Sequence, residues 1–124
     1  MKHILTILIM TIFTLSCTSK KDSNIIVLNV SEFKKEILNQ DIQLIDVRTS
    51  KEFNQGHILN AKSIDYFSST FKAELNQLNK EKPVYLYCRS GKRSGKASKI
   101  CSELGFKKIY DLNGGYLAWS KENK

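Results

Sequence analysis

The stretch VYLYCRSGKRSGKAS, residues 84–98, joins an apolar run to a loop that is rich in glycine and positive charge. Residues 84–88 are almost all apolar, which is typical of a parallel strand buried on both faces. We therefore expect this strand to lie in the middle of a sheet. The residues after the loop predict a helix that starts near Arg93. Its buried stripe consists of four residues: Ala97, Ile100, Cys101 and Leu104.

Further strands are predicted on both sides of this unit. The runs at 25–28, 42–47 and 107–112 are short and mostly apolar, and helix-period stretches separate them. Short strands that alternate with helices indicate a parallel sheet covered by helices. The chain shows no internal repeat and no low-complexity tract, so the pattern predicts one α/β domain.

The helices between these strands are predicted from apolar spacing and end signals. Ser31 is a candidate N-cap for a first helix. A second helix ends before Pro83, and a short final helix follows the glycine pair at 114–115. The residues expected to face inward are Phe33, Ile37 and Leu38 in the first helix and Phe71, Leu75 and Leu78 in the second. The last helix carries Tyr116, Leu117 and Trp119, of which Tyr116 and Trp119 are expected in the core.

Length and composition limit the class of protein. The chain has 124 residues, of which 41% are hydrophobic and 26% charged. This length suits one domain of about 100 to 150 residues, and the composition excludes a disordered chain, a collagen and a multi-span membrane protein. Lys and Arg outnumber Asp and Glu by 20 to 12, so the net charge is +8 and we expect anionic partners.

The N-terminal segment has the pattern of a secretory signal. A basic start is followed by residues 4–15, which carry no charge. Twelve residues make about 18 Å of helix, against about 30 Å of hydrocarbon in a bilayer. The segment is too short to span a membrane, and its apolar residues lie all round a helix, which disfavours the alternative of a helix packed on the domain. We therefore expect a signal peptide at 1–16 and export to the periplasm or cell envelope.

Cys17 lies at the end of this signal and resembles the lipid-acceptor cysteine of bacterial lipoproteins. The polar residues that follow lack any periodicity, so we expect a tether over 17–24 and a folded domain over 25–124. An anchor at Cys17 would then be the domain's only link to a membrane.

The loop after the central strand is the candidate site. Cys88 lies where ligands bind in open α/β sheets, beyond the carboxyl end of a strand and before a helix N-terminus. Gly91 and Gly95 allow successive N–H groups to turn inward and form an anion-binding nest. Five cations and no acid lie between Arg89 and Lys99. The alternative is that Cys88 is a small buried hydrophobe and the cations form a solvated helix face.

This setting favours the thiolate of Cys88. A free cysteine is only a few per cent thiolate at neutral pH, and the thiolate is the nucleophile. A helix dipole supplies about 0.3–1 kcal/mol, which is too little on its own. We expect the loop N–H groups and the cations of Arg89, Lys92 and Arg93 to supply the rest.

Three separated stretches together resemble single-domain rhodaneses over residues 25–122. The first comprises residues 44–48, 52–53, 56–58 and Ala61. The second is the loop 88–94, and the third is LNGGYLAW at 112–119. Each stretch is weak alone, but the three occur in the family's order and at its spacing.

The resemblance implies a fold and an activity. The expected fold is an α/β sandwich of about five parallel strands flanked by helices on both faces. The resemblance makes Cys88 the nucleophile that takes a sulfane sulfur from a donor such as thiosulfate, holds it as a persulfide and passes it on by ping-pong kinetics. Five loop residues would cradle that sulfur: Arg89, Ser90, Gly91, Lys92 and Arg93.

Other residues are expected to support this site. Ser94 belongs to the same motif, and Asp46 is expected to orient the loop through hydrogen bonds. Arg48 and His57 resemble framework residues, and His57 lacks partners at metal-ligand spacing. We expect no cofactor and no metal. A small anionic sulfur donor, a protein as acceptor and a monomeric state are expected, without nucleic-acid binding.

Three other functions remain open. A persulfide carrier that is not an enzyme would have the same loop. A phosphatase of the same fold is less favoured, because phosphatase loops place arginine six residues after cysteine, whereas Arg93 lies five after Cys88. A dithiol oxidoreductase using Cys88 and Cys101 is disfavoured, because a helix would place Cys101 about 12 Å along its axis, beyond disulfide reach.

Overall fold

The computed structural model describes residues 23–38 and 41–124, which form a five-stranded parallel sheet with helices on both faces. The strand order is β1-β5-β4-β2-β3. The strands are β1 (Ile25–Leu28), β2 (Gln43–Asp46), β3 (Lys62–Ser63), β4 (Val84–Tyr87) and β5 (Ile109–Leu112). The predicted α/β fold is confirmed, and β4 lies in the middle of the sheet as expected.

The position of β4 follows from its composition. All four of its residues are buried, and it pairs with β2 on one side and β5 on the other. A strand with apolar side chains on both faces exposes the least apolar surface to water when helices cover both faces. The carboxyl end of β4, where Cys88 begins the loop, therefore lies at the centre of the sheet's edge.

Five helices cover the two faces. They are α1 (Val30–Ile37), α2 (Ser50–Asn54), α3 (Phe71–Asn76), α4 (Lys92–Glu103) and α5 (Gly115–Glu122). One buried cluster joins α3 and α4 to the sheet through residues such as Leu75 and Cys101. The other cluster joins α1 and α5 to the opposite face through Phe33 and Trp119.

The start and end of α1 differ from the prediction. Asn29, not Ser31, is the N-cap: its side chain accepts from the N–H of Glu32, and Glu32 accepts from the N–H of Asn29 in return. This reciprocal pair satisfies two N–H groups and starts the helix two residues before the position that Ser31 would cap. Leu38 was expected to face inward but is 74% exposed, because the helix ends before it.

Other predicted inward residues are only partly buried. Six of them are packed against the edges of the two buried clusters: Ile37, Leu78, Ile100, Leu104, Tyr116 and Trp119. Leu117, in the same helix as Tyr116 and Trp119, is 41% exposed. The helix α2 was not predicted, since five residues are too few to show a helical period.

The predicted signal peptide at 1–16, Cys17 and most of the tether lie outside the described residues. Within the described ranges, no helix combines the length and the apolar character needed to cross a bilayer.

Candidate active site

Cys88 lies at the base of the loop between β4 and α4. Its side chain is buried, with 1% of the residue exposed, and it belongs to the cluster under α4. The N–H of Gly91 donates to its Sγ at 3.0 Å. Gly91 adopts a φ of 105°, which lets the loop turn back over the sulfur before α4 begins. Cys88 is therefore both a core residue and the acceptor of one loop amide.

The N-terminus of α5 holds the same loop from the other side. The N–H of Tyr116 donates to the carbonyl of Cys88 at 2.7 Å, and the N–H of Leu117 donates to the carbonyl of Arg89 at 3.0 Å. Gly115 makes this approach possible, because a Cβ at its position would lie 2.5 Å from the Cys88 oxygen and 2.6 Å from the Arg89 oxygen. The glycine pair thus positions the loop backbone, a role that the sequence did not suggest.

The cations of the loop fall into two groups. Arg89, Lys92 and Lys96 are exposed to solvent. Arg93 instead forms a two-pronged ion pair with Glu52 of α2, with Nη1–Oε2 and Nη2–Oε1 distances of 2.8 Å. The hydrogen bond from Arg93 lowers the pKa of Glu52 to about 2, and the same contact raises the pKa of Arg93.

Arg93 interacts electrostatically with Cys88, as expected, but its main partner is Glu52. Glu52 compensates the charge of Arg93, and the pair ties the start of α4 to α2. Arg89 and Lys92 are the unburied cations that remain next to Cys88 in the chain. Ser90, which was also predicted to be part of the loop, lies between Arg89 and Gly91 in the chain and is exposed.

Asp46 does not contact the loop in the way expected. Its carboxylate accepts from Arg48 Nε at 3.0 Å, from Arg48 Nη2 at 2.8 Å and from the Arg48 N–H at 2.9 Å. Both residues are buried, and Arg48 Nη2 also donates to the carbonyl of Gly56 at 2.6 Å. Because the lone pairs of Asp46 are directed at Arg48, the pair braces the segment after α2.

Arg48 links that segment to α5. Its Cζ lies 4.2 Å from the ring centroid of Tyr116, the residue whose N–H holds the Cys88 carbonyl. The pKa of Arg48 is raised: burial lowers it, but the contacts with Asp46 outweigh the burial. The Asp46–Arg48 pair therefore supports the loop through α5.

Ser94 lies under the first turn of α4 and is fully buried. Its hydroxyl donates to the carbonyl of Gly91 at 3.3 Å and also hydrogen-bonds the carboxylate of Asp111. Asp111 is the middle of β5 and was not predicted as part of the site. An aspartate inside an apolar strand is the signal that could have found it, because isolated buried carboxylates are costly.

The remaining candidates have structural surroundings. His57 stacks on Phe53 with ring centroids 3.7 Å apart, and its Nδ1 lies 2.9 Å from the Phe53 carbonyl. No cluster of three or more His, Cys, Asp or Glu residues that could hold a metal occurs in residues 23–38 and 41–124. Cys101 and Cys88 are both free thiols. Burial raises the pKa of Cys101 to about 12, so Cys101 stays neutral.

An aromatic side chain also lies near the loop. Phe67 is 69% exposed, and the Arg93 Cζ lies 5.8 Å from its ring centroid. The spacing of the sequence does not predict that Phe67 lies beside Arg93, because Phe67 belongs to the segment between β3 and α3 and Arg93 to the start of α4.

Comparison with known proteins identifies the family of the domain. The family model of the rhodanese-like domain matches residues 29–122. Thiosulfate sulfurtransferase 18 of Arabidopsis thaliana is 35% identical over 114 residues, which cover 82% of this chain and 83% of that protein. The uncharacterized protein YqhL of Bacillus subtilis is 44% identical over 82 residues, 66% of this chain and 64% of YqhL.

Other relatives are longer proteins. They include a tRNA uridine(34) hydroxylase of Pelagibacter ubique, of which the chain covers 36%. Among solved structures, a rhodanese-like domain protein of Staphylococcus aureus superposes with a TM-score of 0.67 at 33% identity, over 75% of this chain and 89% of that one. The five-stranded sheet with its covering helices is thus a fold shared with that structure, and the chain belongs to the rhodanese-like domain family.

Proposed function

We propose that the protein is a sulfurtransferase that carries a sulfane sulfur on Cys88. The observation that supports this most is the Gly91 N–H directed at the Cys88 sulfur at 3.0 Å. An N–H donor stabilises a sulfur anion, and relatives named sulfurtransferases support the same activity for this chain.

The proposed reaction has two displacements. The Cys88 thiolate attacks the outer sulfur of thiosulfate, a new S–S bond forms, the S–S bond of the donor breaks, and sulfite leaves with the electron pair. The product is a persulfide anion on Cys88. A nucleophilic acceptor such as cyanide or a thiolate then attacks the outer sulfur and regenerates the Cys88 thiolate.

Each loop group has a role in this proposal. The Gly91 N–H holds the sulfur anion, and the exposed cations of Arg89 and Lys92 attract the dianionic donor. The Glu52–Arg93 pair and the α5 N-terminus keep the loop in place without adding net charge to it.

A persulfide carrier that hands its sulfur to a partner protein is the second candidate. The exposed ring of Phe67 beside Arg93 favours the carrier, because aromatic side chains often contribute to protein–protein contacts. A small donor such as thiosulfate does not need such a contact surface.

Turnover distinguishes these functions. With thiosulfate and cyanide, we expect the purified protein to form thiocyanate through many cycles. Cys88→Ser should abolish this activity, whereas Cys101→Ala should retain it. Release of one equivalent of sulfite without further turnover would favour the carrier. Hydrolysis of an aryl phosphate without thiocyanate formation would contradict the proposal and favour the phosphatase.

A further inference from the structure

Asp111 is a buried carboxyl group for which the proposed reaction has no use. It lies in β5 between β1 and β4 and is 6% exposed. Among the side chains of the described residues, its Oδ1 is the buried polar atom without a hydrogen-bond partner. Burial raises the pKa of Asp111 to about 6, although the hydrogen bond from Ser94 lowers it in part. Proteins rarely retain a costly group of this kind without a function.

The carboxyl group of Asp111 faces the first turn of α4. A Cβ built on Gly95 would lie 3.8 Å from Asp111 Oδ2, so this glycine lies directly over the carboxylate. The Ser94 hydroxyl donates to the Gly91 carbonyl at 3.3 Å and also interacts with the Asp111 carboxylate, which lowers the pKa of Asp111. A serine hydroxyl has one proton to donate. An ionised Asp111 therefore competes with the Gly91 carbonyl for that proton, whereas a neutral Asp111 leaves it to Gly91.

Asp111 also lies near the sulfur. Asp111 pairs with Leu86 in the parallel register, and Cys88 follows two residues later on the same face of the sheet. Strand spacing then separates the Cα atoms of Asp111 and Cys88 by about 8 Å. Two anions at this distance in a buried cluster disfavour each other.

The groups facing Asp111 from each neighbouring element are few. The ionisable group that faces Asp111 from the end of β4 is Cys88, the residue directly after this strand. From the buried side of α4 it is Cys101, which stays neutral. The strand β1 contributes Val27 opposite Asp111 and has no ionisable residue. Arg93 of α4 is paired with Glu52, and Lys96 and Lys99 are exposed.

We propose that Asp111 is a positioning residue for Cys88, and that its neutral form braces Gly91 through Ser94 and favours the sulfur anion, while its ionised form opposes that anion. The inference rests on the proposed chemistry at Cys88. It makes the reactivity of Cys88 depend on the protonation of a second buried group.

The test is the rate at which iodoacetamide alkylates Cys88 in the full chain, followed at the Cys88 peptide by mass spectrometry at several pH values. Asp111→Asn keeps the shape of the side chain and removes its ionisation. We expect this variant to react about three to ten times faster than the unaltered protein at pH 8, and at an equal rate at pH 5. A rate ratio at pH 8 no greater than that at pH 5 would overturn the proposal.

Two further variants make the test specific. Asp41→Asn removes a carboxylate that is 80% exposed in an ion pair with Lys82, and we expect it to leave the profile unchanged. Ser94→Ala removes the hydroxyl that stabilises the ionised Asp111 and so raises the pKa of Asp111. The inflection that the ionisation of Asp111 produces near pH 6 in the plot of alkylation rate against pH should therefore move to higher pH. An inflection that stays in place or moves to lower pH would contradict the proposal, even if Asp111→Asn did not fold.

Alkylation needs no sulfur donor. Failure of the proposed sulfur transfer would appear as an absence of thiocyanate, whereas failure of this inference would appear as a ratio independent of pH. The two failures are therefore distinguishable.

Discussion

Gly115 lies directly against the backbone of Cys88: a Cβ on Gly115 would be 2.5 Å from the Cys88 carbonyl oxygen. This approach allows the first N–H groups of α5 to donate to the carbonyls of Cys88 and Arg89. The position of the cysteine loop therefore depends on a glycine that is 27 residues away in the sequence.

Gly115→Ala should displace the loop. The new methyl group would overlap backbone atoms, which cannot rotate away as a side chain can, and φ at this position is 60°. We expect a stability loss of roughly 2 kcal/mol or more and at least a tenfold fall in thiocyanate formation. Urea unfolding and the turnover assay measure the two effects.

Gly105→Ala is the matched control. Gly105 also has a positive φ, 96°, but nothing lies within 4 Å of the position of a Cβ. We expect a loss of about 1 kcal/mol from backbone strain and unchanged turnover per folded molecule. Equal turnover in the two variants would contradict the role assigned to Gly115.

Glu52→Gln should weaken the link between α2 and α4. The pKa of Glu52 is lowered from 4.5 to about 2 by the hydrogen bond from Arg93, so the pair stabilises the fold above about pH 4.5 and loses that effect as the pH falls towards 2. Because the pair is partly exposed, we expect a loss of about 1 kcal/mol at pH 7. Unfolding followed at pH 7 and pH 2.5 tests this: the difference should be clearly smaller at pH 2.5, and one as large as that at pH 7 would argue against it.

Asp111→Asn should stabilise the protein at neutral pH. The pKa of Asp111 is raised from 3.8 to about 6, so its ionisation destabilises the fold as the pH rises through this range. We expect a gain of roughly 1–3 kcal/mol at pH 8 and none at pH 4. Urea unfolding at the two pH values measures it. An equal change in stability at pH 4 and pH 8 would mean that the fold does not raise the pKa of Asp111.

Arg48→Met should be strongly destabilising. It leaves the Asp46 carboxylate buried without its partner and removes the donor to the Gly56 carbonyl. We expect a loss of about 3–5 kcal/mol, measured by thermal or urea unfolding. Lys82→Met removes an exposed ion pair with Asp41 and should cost less than about 1 kcal/mol. Similar losses of stability in the two variants would show that the buried Asp46–Arg48 pair contributes no more to the stability of the fold than the exposed Asp41–Lys82 pair.

Four of the five strands described could be predicted from sequence because they are short, mostly apolar runs, whereas β3, the two polar residues Lys62–Ser63, has no such signal. The run at 84–88 is apolar on both faces, and that property places β4 in the middle of the sheet whatever surrounds it. The cap of α1 was visible too, since Asn29 and Glu32 have the spacing of a capping box, but Ser31 has the same chemistry two residues later.

The supporting contacts of the site could not be predicted in the same way. Glu52 and Arg93 are 41 residues apart, and no local pattern indicates which acid compensates which cation. The pairing of Asp46 with Arg48 instead of the loop depends on where the Arg48 side chain turns once it is buried. Asp111 reads as one polar residue in a strand until α4 is seen to cover it.

The central claim is that the end of β4, where the Gly91 N–H donates to the sulfur, lets Cys88 hold an additional sulfur atom. The most direct measurement is the mass of the protein, and then of its Cys88 peptide, after incubation with thiosulfate and removal of the donor. We predict a gain of one sulfur, about 32 Da, on Cys88 and none in Cys88→Ser. An unchanged mass of folded protein with several sulfane donors would contradict the account.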